Sequence, residues 1–539
     1  LSILTHFFIP LSSYSNSIIV LIGIIFYIIN LKYFWSVNIK YFFPIIIFLS
    51  ILSFSFEYHS DYFWYHLPYI NLLANNKIIF GSSNLNDFFG YGHGWLDIMA
   101  IFNLPIFESY FTSFVSIIFI TYYIYFLISL FQYSKDDILK TWSLLCLIFF
   151  FLQYPLLKDY GAEIHMNLLY VMICLNIYLF YYRAENKENY FLLIIFLTTF
   201  VFFLRLNAII FLPLILLFFT LNYKYLFNFF NNRVKLFLFF LVSIVLLILK
   251  NIIISGCIAY PIYFTCFDNF SWGTGFNQAY ERFQMLSAQS KGYLLYVVYE
   301  KNYETIYNFY QFAKSENFIS PNEYLNQIGN WLIYWLKYEH DKERIGNIIL
   351  ILFSVIIFTR ALHFKSLIIF ENLKIIKNNF WLIILFFLPI ISYFILLPQG
   401  RYGGFGIFFI LFSFITSILI INKSDKNYAV LTILSISIVY FIFKNYDNIS
   451  QNKHVSIYNT YPTTEINKVE TKIYTNDIVI HFLSPELEGK PRYCNDERQL
   501  CTSSYRKKCI ENIYYKFDYL FVKPNKNQCT KVIQDYFFF

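Results

Sequence analysis

Hydrophobic positions run in blocks of about 15–22 residues along most of the chain, each closed by a short polar stretch. Blocks such as IIVLIGIIFYII (18–29) and LFLFFLVSIVLLIL (236–249) show no alternation of polar and apolar positions, which argues against the strands of a β-barrel. Runs of this length match the ~20 residues that carry a helix across the hydrocarbon core of a bilayer. A helix also satisfies every backbone amide within its own segment, as lipid demands. The pattern predicts spans at 17–31, 42–56, 110–132, 138–155, 165–182, 190–204, 207–222, 234–254, 345–361, 380–397, 404–421 and 427–444. Residues 1–11 read either as the end of one more span or as a start-site artefact, and 190–222 either as two crossings or as a re-entrant pair. From 446 onward hydropathy falls, and IVIHFLSPELEGKPRYC followed by FDYLFVK reads as strands and turns. The expected fold is an all-α polytopic membrane domain over 1–444, with about 12–13 transmembrane helices, and a small extracytoplasmic α/β or β-rich domain over 445–539.

Composition agrees with that class. Of 539 residues 58% are hydrophobic and only 14% charged, where a soluble domain carries about 25% charged residues. The net charge of +8 comes from lysines scattered through loops, so no nucleic-acid partner is expected. Those lysines set the orientation. Lys32, Lys40, Lys135, Lys140, Arg183, Lys187, Lys224, Arg233, Lys235, Arg360, Lys365, Lys374, Lys377, Lys423 and Lys426 fall in one set of loops, against Lys158, Arg205 and Arg401 in the alternate short connections. The first set is therefore cytoplasmic, and segments 57–109, 255–343 and 445–539 lie on the opposite, external side.

The cysteines fit an external, oxidising compartment. Cys257 and Cys266 share one external segment, and Cys494, Cys501, Cys509 and Cys529 give an even number in the tail. Such cysteines form disulfides more often than not. The tail spacings also lack the close Cys-x-x-Cys pair of a zinc site. Cys146 and Cys174 lie inside spans and read as packing residues.

Against so apolar a background, the stretch EYHSDYFWYHLPYINLLANNKIIFGSSNLNDFFGYGHGW (57–95) concentrates Glu57, His59, Asp61, His66, Asp87 and His93 in one external loop. YPLLKDYGAEIHMNLL brings Lys158, Asp159, Glu163 and His165 to the next external turn, FFLRLNAII places Arg205 where two short spans meet, and LPQGRYGGFG places Arg401 in a Gly-rich turn. Taken singly, each reads as an interfacial cap or a snorkelling side chain. Charges beside hydrocarbon are costly and face cavities or partners, so together these groups predict one shared site at the outer leaflet.

The residues Asp61, Tyr65, His66, Asn84, Leu85, Gly90, Tyr91 and Trp95 form a pattern that resembles the GT-C class of multi-span glycosyltransferases, and is most similar to a bacterial family of GT-C membrane proteins. Gly256, Tyr260, Pro261, Asp268 and Trp272, and the Arg401 turn, resemble two further segments of that family. The likeness runs over about residues 50–410 and leaves the tail after 445 uncovered. Where the family has His after Asn-Leu, this chain has Asn86.

The resemblance implies an inverting glycosyltransferase of the cell envelope, in a bacterial inner membrane with its site on the periplasmic face. It would take a sugar from a polyprenyl-phosphate donor and pass it to a glycan or glycolipid acceptor. Asp61 would be the general base on the acceptor hydroxyl. Arg205, Arg401 and Lys158 would meet the donor phosphate, the arginines with bidentate geometry. Glu57, His66, Asn84, His93, Asp159, Glu163 and Tyr260 would contact substrate, and Tyr65, Trp95 and Trp272 would stack on sugar rings. Glu57, His59, Asp61 and His66 include metal-ligand types, and some GT-C members use a divalent ion. Loop histidines beside a membrane more often make hydrogen bonds, so the pattern requires no cofactor. Two other classes fit the composition: a lipid-linked polysaccharide polymerase or ligase, which leans on paired arginines rather than an acidic first loop, and a transporter, for which inverted repeats are expected.

Overall fold

The computed structural model describes residues 1–29, 39–54, 66–105, 114–153, 162–183, 187–293, 320–326, 331–333, 335, 377–396, 398, 404–420, 427–451, 469–474, 478–483, 500–503, 510–516, 519–524 and 526. The helices in chain order are α1 Ser2–Phe8, α2 Ser13–Ile29, α3 Ile39–Phe54, α4 Leu67–Asn75, α5 Gly94–Ile101, α6 Phe114–Tyr133, α7 Asp137–Gln153, α8 Ala162–Tyr182, α9 Lys187–Leu204, α10 Leu212–Leu221, α11 Tyr223–Asn232, α12 Val234–Ser255, α13 Gly275–Ser290, α14 Pro321–Asn326, α15 Phe380–Leu396, α16 Gly404–Ile420 and α17 Asn427–Gln451. The protein is mostly helical, as the apolar blocks predict. By length and apolarity, however, α6, α8, α9 and α12 are the ones among the described residues that qualify to cross a membrane, with α10 and α11 a fifth if that bent pair counts as one span. Shorter apolar stretches are Ser13–Phe26, Phe380–Leu396, Gly406–Leu419 and Leu431–Phe443, and the predicted span 345–361 lies outside the described residues.

Local sequence sets the ends. Asp136 follows the apolar run of α6, and its Oδ1 accepts from the amides of Ile138 (2.8 Å) and Leu139 (3.3 Å), capping the free N–H groups that open α7. α12 stops at Gly256, which takes φ +76°, the left-handed terminus that glycine favours. The stretch 190–222 resolves into α9, a 3-10 turn over Leu206–Phe211 and α10, after which the chain bends by 78° into α11. α1 is a short helix apart from α2, held where the His6 Nε2 donates to the Asn76 carbonyl at 3.1 Å.

α8 is the central element, with most of its apolar window buried, and it packs against α9 and α16. Aromatic contacts hold the rest of the bundle. Trp142 of α7 donates its indole N–H to Ser413 Oγ (2.9 Å) and packs its ring on Phe414 of α16, and Phe149 stacks on Phe409 at 3.8 Å. At the lower end Tyr178 donates to Asp136 Oδ2 (2.7 Å) and Arg183 to Ser134 Oγ (3.1 Å), so the basic turns 134–140 and 183–187 share one end of the bundle.

The C-terminal region contains strands, as its alternating sequence predicts. β1 Val469–Tyr474 pairs antiparallel with β2 Ile478–Leu483, which pairs parallel with β3 Leu500–Ser503. β4 Ile510–Lys516 and β5 Tyr519–Pro524 form an antiparallel hairpin. That hairpin docks on the first long loop: the Phe80 amide donates to the Leu520 carbonyl (2.9 Å) and the Val522 amide to the Phe80 carbonyl (2.8 Å). The rings of Phe80 and Phe521 stack at 4.3 Å.

Gly81 is the point on which this junction closes. Its φ is +76°, and a Cβ there would lie 2.5 Å from the Val522 carbonyl oxygen and 2.7 Å from that of Trp272. Left-handed backbone costs an L-residue about 1–2 kcal/mol before any clash. Gly81→Ala is therefore expected to lower the thermal midpoint and expose 510–526 to limited proteolysis. Gly23→Ala, on a helix with nothing within 4 Å of the added Cβ, should leave both unchanged. Equal behaviour of the two variants would contradict the docking.

Candidate functional site

α8 and α9 run antiparallel, so the start of α8 and the end of α9 meet at the end of the bundle away from the basic turns. There the sequence-predicted Glu163 and Arg205 form a partly buried ion pair, Arg205 Nη1 donating to Glu163 Oε1. Beside them His165, on the first turn of α8, stacks on Trp95 with ring centroids 3.7 Å apart. Trp95 belongs to α5, whose start is pressed against α9: a Cβ on Gly94 would lie 2.2 Å from the Phe203 carbonyl oxygen. The first long loop and the start of α8 thus converge. The other predicted members, Glu57, Asp61, Tyr65, Lys158, Asp159 and Arg401, lie outside the described residues.

Two groups that the sequence reading gave no role stand at the centre of this cluster. Lys250, the lone lysine in the apolar run of α12, donates from Nζ to Asp97 Oδ2 of α5, and both are almost fully buried. Its ammonium also lies 5.9 Å from the ring centroid of Tyr69. Neither charge is stable alone in such surroundings, and burial pushes the Asp97 carboxyl up while Lys250 pulls it back. The signal was present in LILKNIIIS, because a lysine inside a span is a partner-seeking residue by default.

His93 and His66 flank the pair. His93 occupies the N-cap position of α5, fully buried, and its imidazole is held well below the usual histidine range by burial first and then by electrostatic repulsion, largest from Arg205. His66 is buried at the start of α4. His6 of α1 is pushed down to about 3, by burial and then by Lys250, against the pull of its bond to Asn76.

A second charge cluster sits under the segment 256–282. Tyr260 donates to Asp87 Oδ1 (3.0 Å) and stacks on Tyr91, and Arg282 of α13 donates from Nε to Tyr91 Oη (2.7 Å), with Asp87 Oδ2 at 3.8 Å. Cys257 and Cys266 are joined by a disulfide that closes the loop carrying Tyr260, as expected from their shared segment. Of the tail cysteines only Cys501 is described, in the backbone of β3; Cys494, Cys509 and Cys529 lie outside the described residues. Asn84 donates from Nδ2 to the Trp272 carbonyl (2.8 Å), and Trp272 donates its indole N–H to the Ile252 carbonyl (3.3 Å). Asn84 and Trp272 therefore knit the loop to α12. Among the described residues no three His, Cys, Asp or Glu side chains gather to hold a metal ion, and of the candidate ligand set only His66 is described.

The fold defines a mostly helical protein that has, among the described residues, four, or up to five, helices long and apolar enough to cross a membrane, with paired charges gathered at one end. Residues 1–408 match one family model, and the chain belongs to that family, a domain of unknown function (DUF8201). No curated protein and no solved structure matches the chain.

The Asp97–Lys250 pair makes a sharp expectation. Lys250→Met or Asp97→Leu alone strands a buried charge, a loss of about 3–5 kcal/mol. The double variant should recover most of the thermal midpoint, since apolar replacement of a whole pair is often neutral. Additive losses would show that the two do not interact.

His6 and His93 give a pH dependence. Both are neutral when folded, whereas the unfolded chain takes up protons below the usual value of 6.5. Stability is therefore complete above pH 6.5 and falls as pH drops below it, by at most about 1.4 kcal/mol per pH unit for each histidine. His6→Gln, which keeps a donor for Asn76 and removes one titration, should make the midpoint fall less steeply between pH 6.5 and 5. An unchanged slope would remove His6 from the account.

Proposed function

We propose that this protein is an integral membrane glycosyltransferase that moves a sugar, with inversion, from a polyprenyl-phosphate donor to a glycan or lipid acceptor at the face opposite its basic turns. The observation that carries the reading is the meeting of Trp95 from the first long loop with His165, Glu163 and Arg205 from the ends of α8 and α9. Acid, base and aromatic groups from separate turns gather at one end of the bundle, as a site for an anionic, sugar-bearing lipid requires. The membrane setting is supported by α12, a 22-residue helix whose 18-residue apolar window has a mean hydropathy of 2.8 and is only 22% buried. Side chains such as Phe239 and Val242 are 59% and 54% exposed on it, a surface that water would not tolerate.

On this reading Asp61 takes the proton of the acceptor hydroxyl, and the leaving phosphate is met by Arg401, Lys158 and the Arg205 guanidinium as Glu163 yields it. Trp95 and Trp272 lie against His165 and the Phe80–Phe521 pair, so their part is to hold the walls of the site. The buried Lys250–Asp97 pair is the one feature that also suits a transporter, where such pairs line a path.

The test uses purified full-length protein, a panel of polyprenyl-phosphate sugars, and mass spectrometry of the released polyprenyl phosphate. Asp61→Asn keeps the shape and removes the accepting charge, so turnover should fall about 10²–10⁴-fold, the range for loss of a general base, with donor binding intact. Near-normal turnover in Asp61→Asn beside abolition in Asp159→Asn or Glu163→Gln would move the base to the second external turn. Transport of an intact lipid or sugar without bond cleavage would replace the transferase reading altogether.

A further inference from the structure

At the opposite end of the bundle, the chain turns by 78° between α10 and α11 and then reverses into α12. α11 reads YKYLFNFFNN, and its apolar and polar positions separate cleanly on a helix. Tyr223, Phe227 and Phe230 recur at i, i+4 and i+7, and Lys224, Asn228 and Asn231 repeat the same spacing one residue on. Phe229 alone is buried among the core residues, where Phe191 packs on it at 5.4 Å. The remaining faces border a groove of about 800 Å³, closed on its far side by Val234 and Phe237 of α12. Its floor is the ring contact of Phe230 with Phe237 at 5.1 Å.

The groove combines two chemistries. Its apolar lip is open, with Phe227 67% and Tyr223 61% exposed. Its polar lip carries Lys224, whose ammonium lies 5.9 Å from the ring centroid of Tyr223 and enters no ion pair among the described residues. Two neighbouring cations are already engaged, Arg233 donating to Glu188 at 2.6 Å and Lys187 lying over the ring of Phe180, while Lys235, exposed beside Val234, does not line the groove. Thus one lysine and two asparagine amides line the groove beside the rings of Tyr223, Phe227, Phe230 and Phe237, on a helix turned across the direction of the bundle. We propose that this groove binds an anionic phospholipid of the surrounding bilayer, one acyl chain lying along Tyr223, Phe227, Phe230 and Phe237 and the headgroup phosphate meeting Lys224 with Asn228 and Asn231. A single lysine beside an apolar trough fits an amphiphile with a phosphate better than a wholly apolar occupant, which would leave the ammonium in an apolar rim. The site is separate from the cluster around Arg205 and does not depend on the transferase reading.

The experiment is native mass spectrometry of the full-length protein in detergent, with phosphatidylglycerol or phosphatidylcholine of identical acyl chains, and with inorganic phosphate as competitor. Phosphatidylglycerol should be retained about five-fold more than phosphatidylcholine, the ratio equivalent to about 1 kcal/mol for one lysine at an anionic surface. Lys224→Glu should bring the two lipids level, and Phe227→Asp should weaken both; each side chain is exposed, so neither change threatens folding. Retention of neither lipid, equal retention by the unaltered protein, or an undiminished preference in Lys224→Glu would overturn the proposal. Displacement of phosphatidylglycerol by inorganic phosphate alone would assign the groove to free phosphate instead of a lipid.

Discussion

Most of residues 78–93 lie inside the protein without forming an α-helix, and every dipole in that stretch has to be answered where water does not reach. The neighbouring structure is arranged to do so. The Phe80 amide and carbonyl are taken up by β5, the Gly81 amide donates to the Ile253 carbonyl at 2.9 Å, and the Asn84 amide reaches Trp272. Asp87 is met by Tyr260 and Arg282, and Asp97, just beyond, by Lys250. The helices supply apolar bulk, but the placement of α12, the disulfide loop, α13 and the C-terminal hairpin around one another follows from this stretch of buried polar backbone.

That dependence explains why the charges come in pairs. A carboxylate inside low dielectric costs several kcal/mol unless a cation is brought with it, and α5, α8 and the 3-10 turn over Asp87–Tyr91 each bring an acid. Each is answered from a different part of the chain: Lys250 from α12, Arg205 from the end of α9, Arg282 from α13. These ion pairs, one joining the consecutive helices α8 and α9 and two joining elements far apart in sequence, fix the relative position of those elements more narrowly than apolar packing, which tolerates sliding. The aromatic contacts of Trp95 with His165 and of Tyr91 with Tyr260 then fill the spaces between pairs.

The helices were legible because each is an unbroken apolar run with a polar break at either end, and those runs reappear within a few residues as α2, α3, α6–α9, α12 and α15–α17. Their number as full crossings was less legible, because run length in sequence does not reveal a bend: α10 ends at Leu221 and the apolar pattern continues through Phe227 and Phe230 on a helix turned by 78°. In the site, Glu163 with Arg205 and Cys257 with Cys266 were readable as groups of suitable type in suitable loops. Lys250, Asp97 and Arg282 were not singled out, because partners separated by 153 and 195 residues leave no local pattern, and Lys250 sat inside a run scored as uniformly apolar.

If the transferase reading holds, the pairing has a consequence for how the donor is received. A phosphate arriving beside Arg205 finds a guanidinium already neutralised by Glu163, so binding exchanges one anion for another instead of filling an empty positive site. The exchange is favourable only if the displaced carboxylate finds a proton or a second cation, and in the sequence Lys158 lies five residues before it. Loss of Arg205 would then remove a phosphate contact and strand Glu163 at once, and the two effects have opposite signatures. A lost contact raises the donor concentration required while the fold is retained, whereas a stranded carboxylate lowers stability and is relieved by Glu163→Gln. Comparing Arg205→Ala with the Arg205→Ala/Glu163→Gln pair separates them, because only the stability loss is relieved when the carboxylate is neutralised.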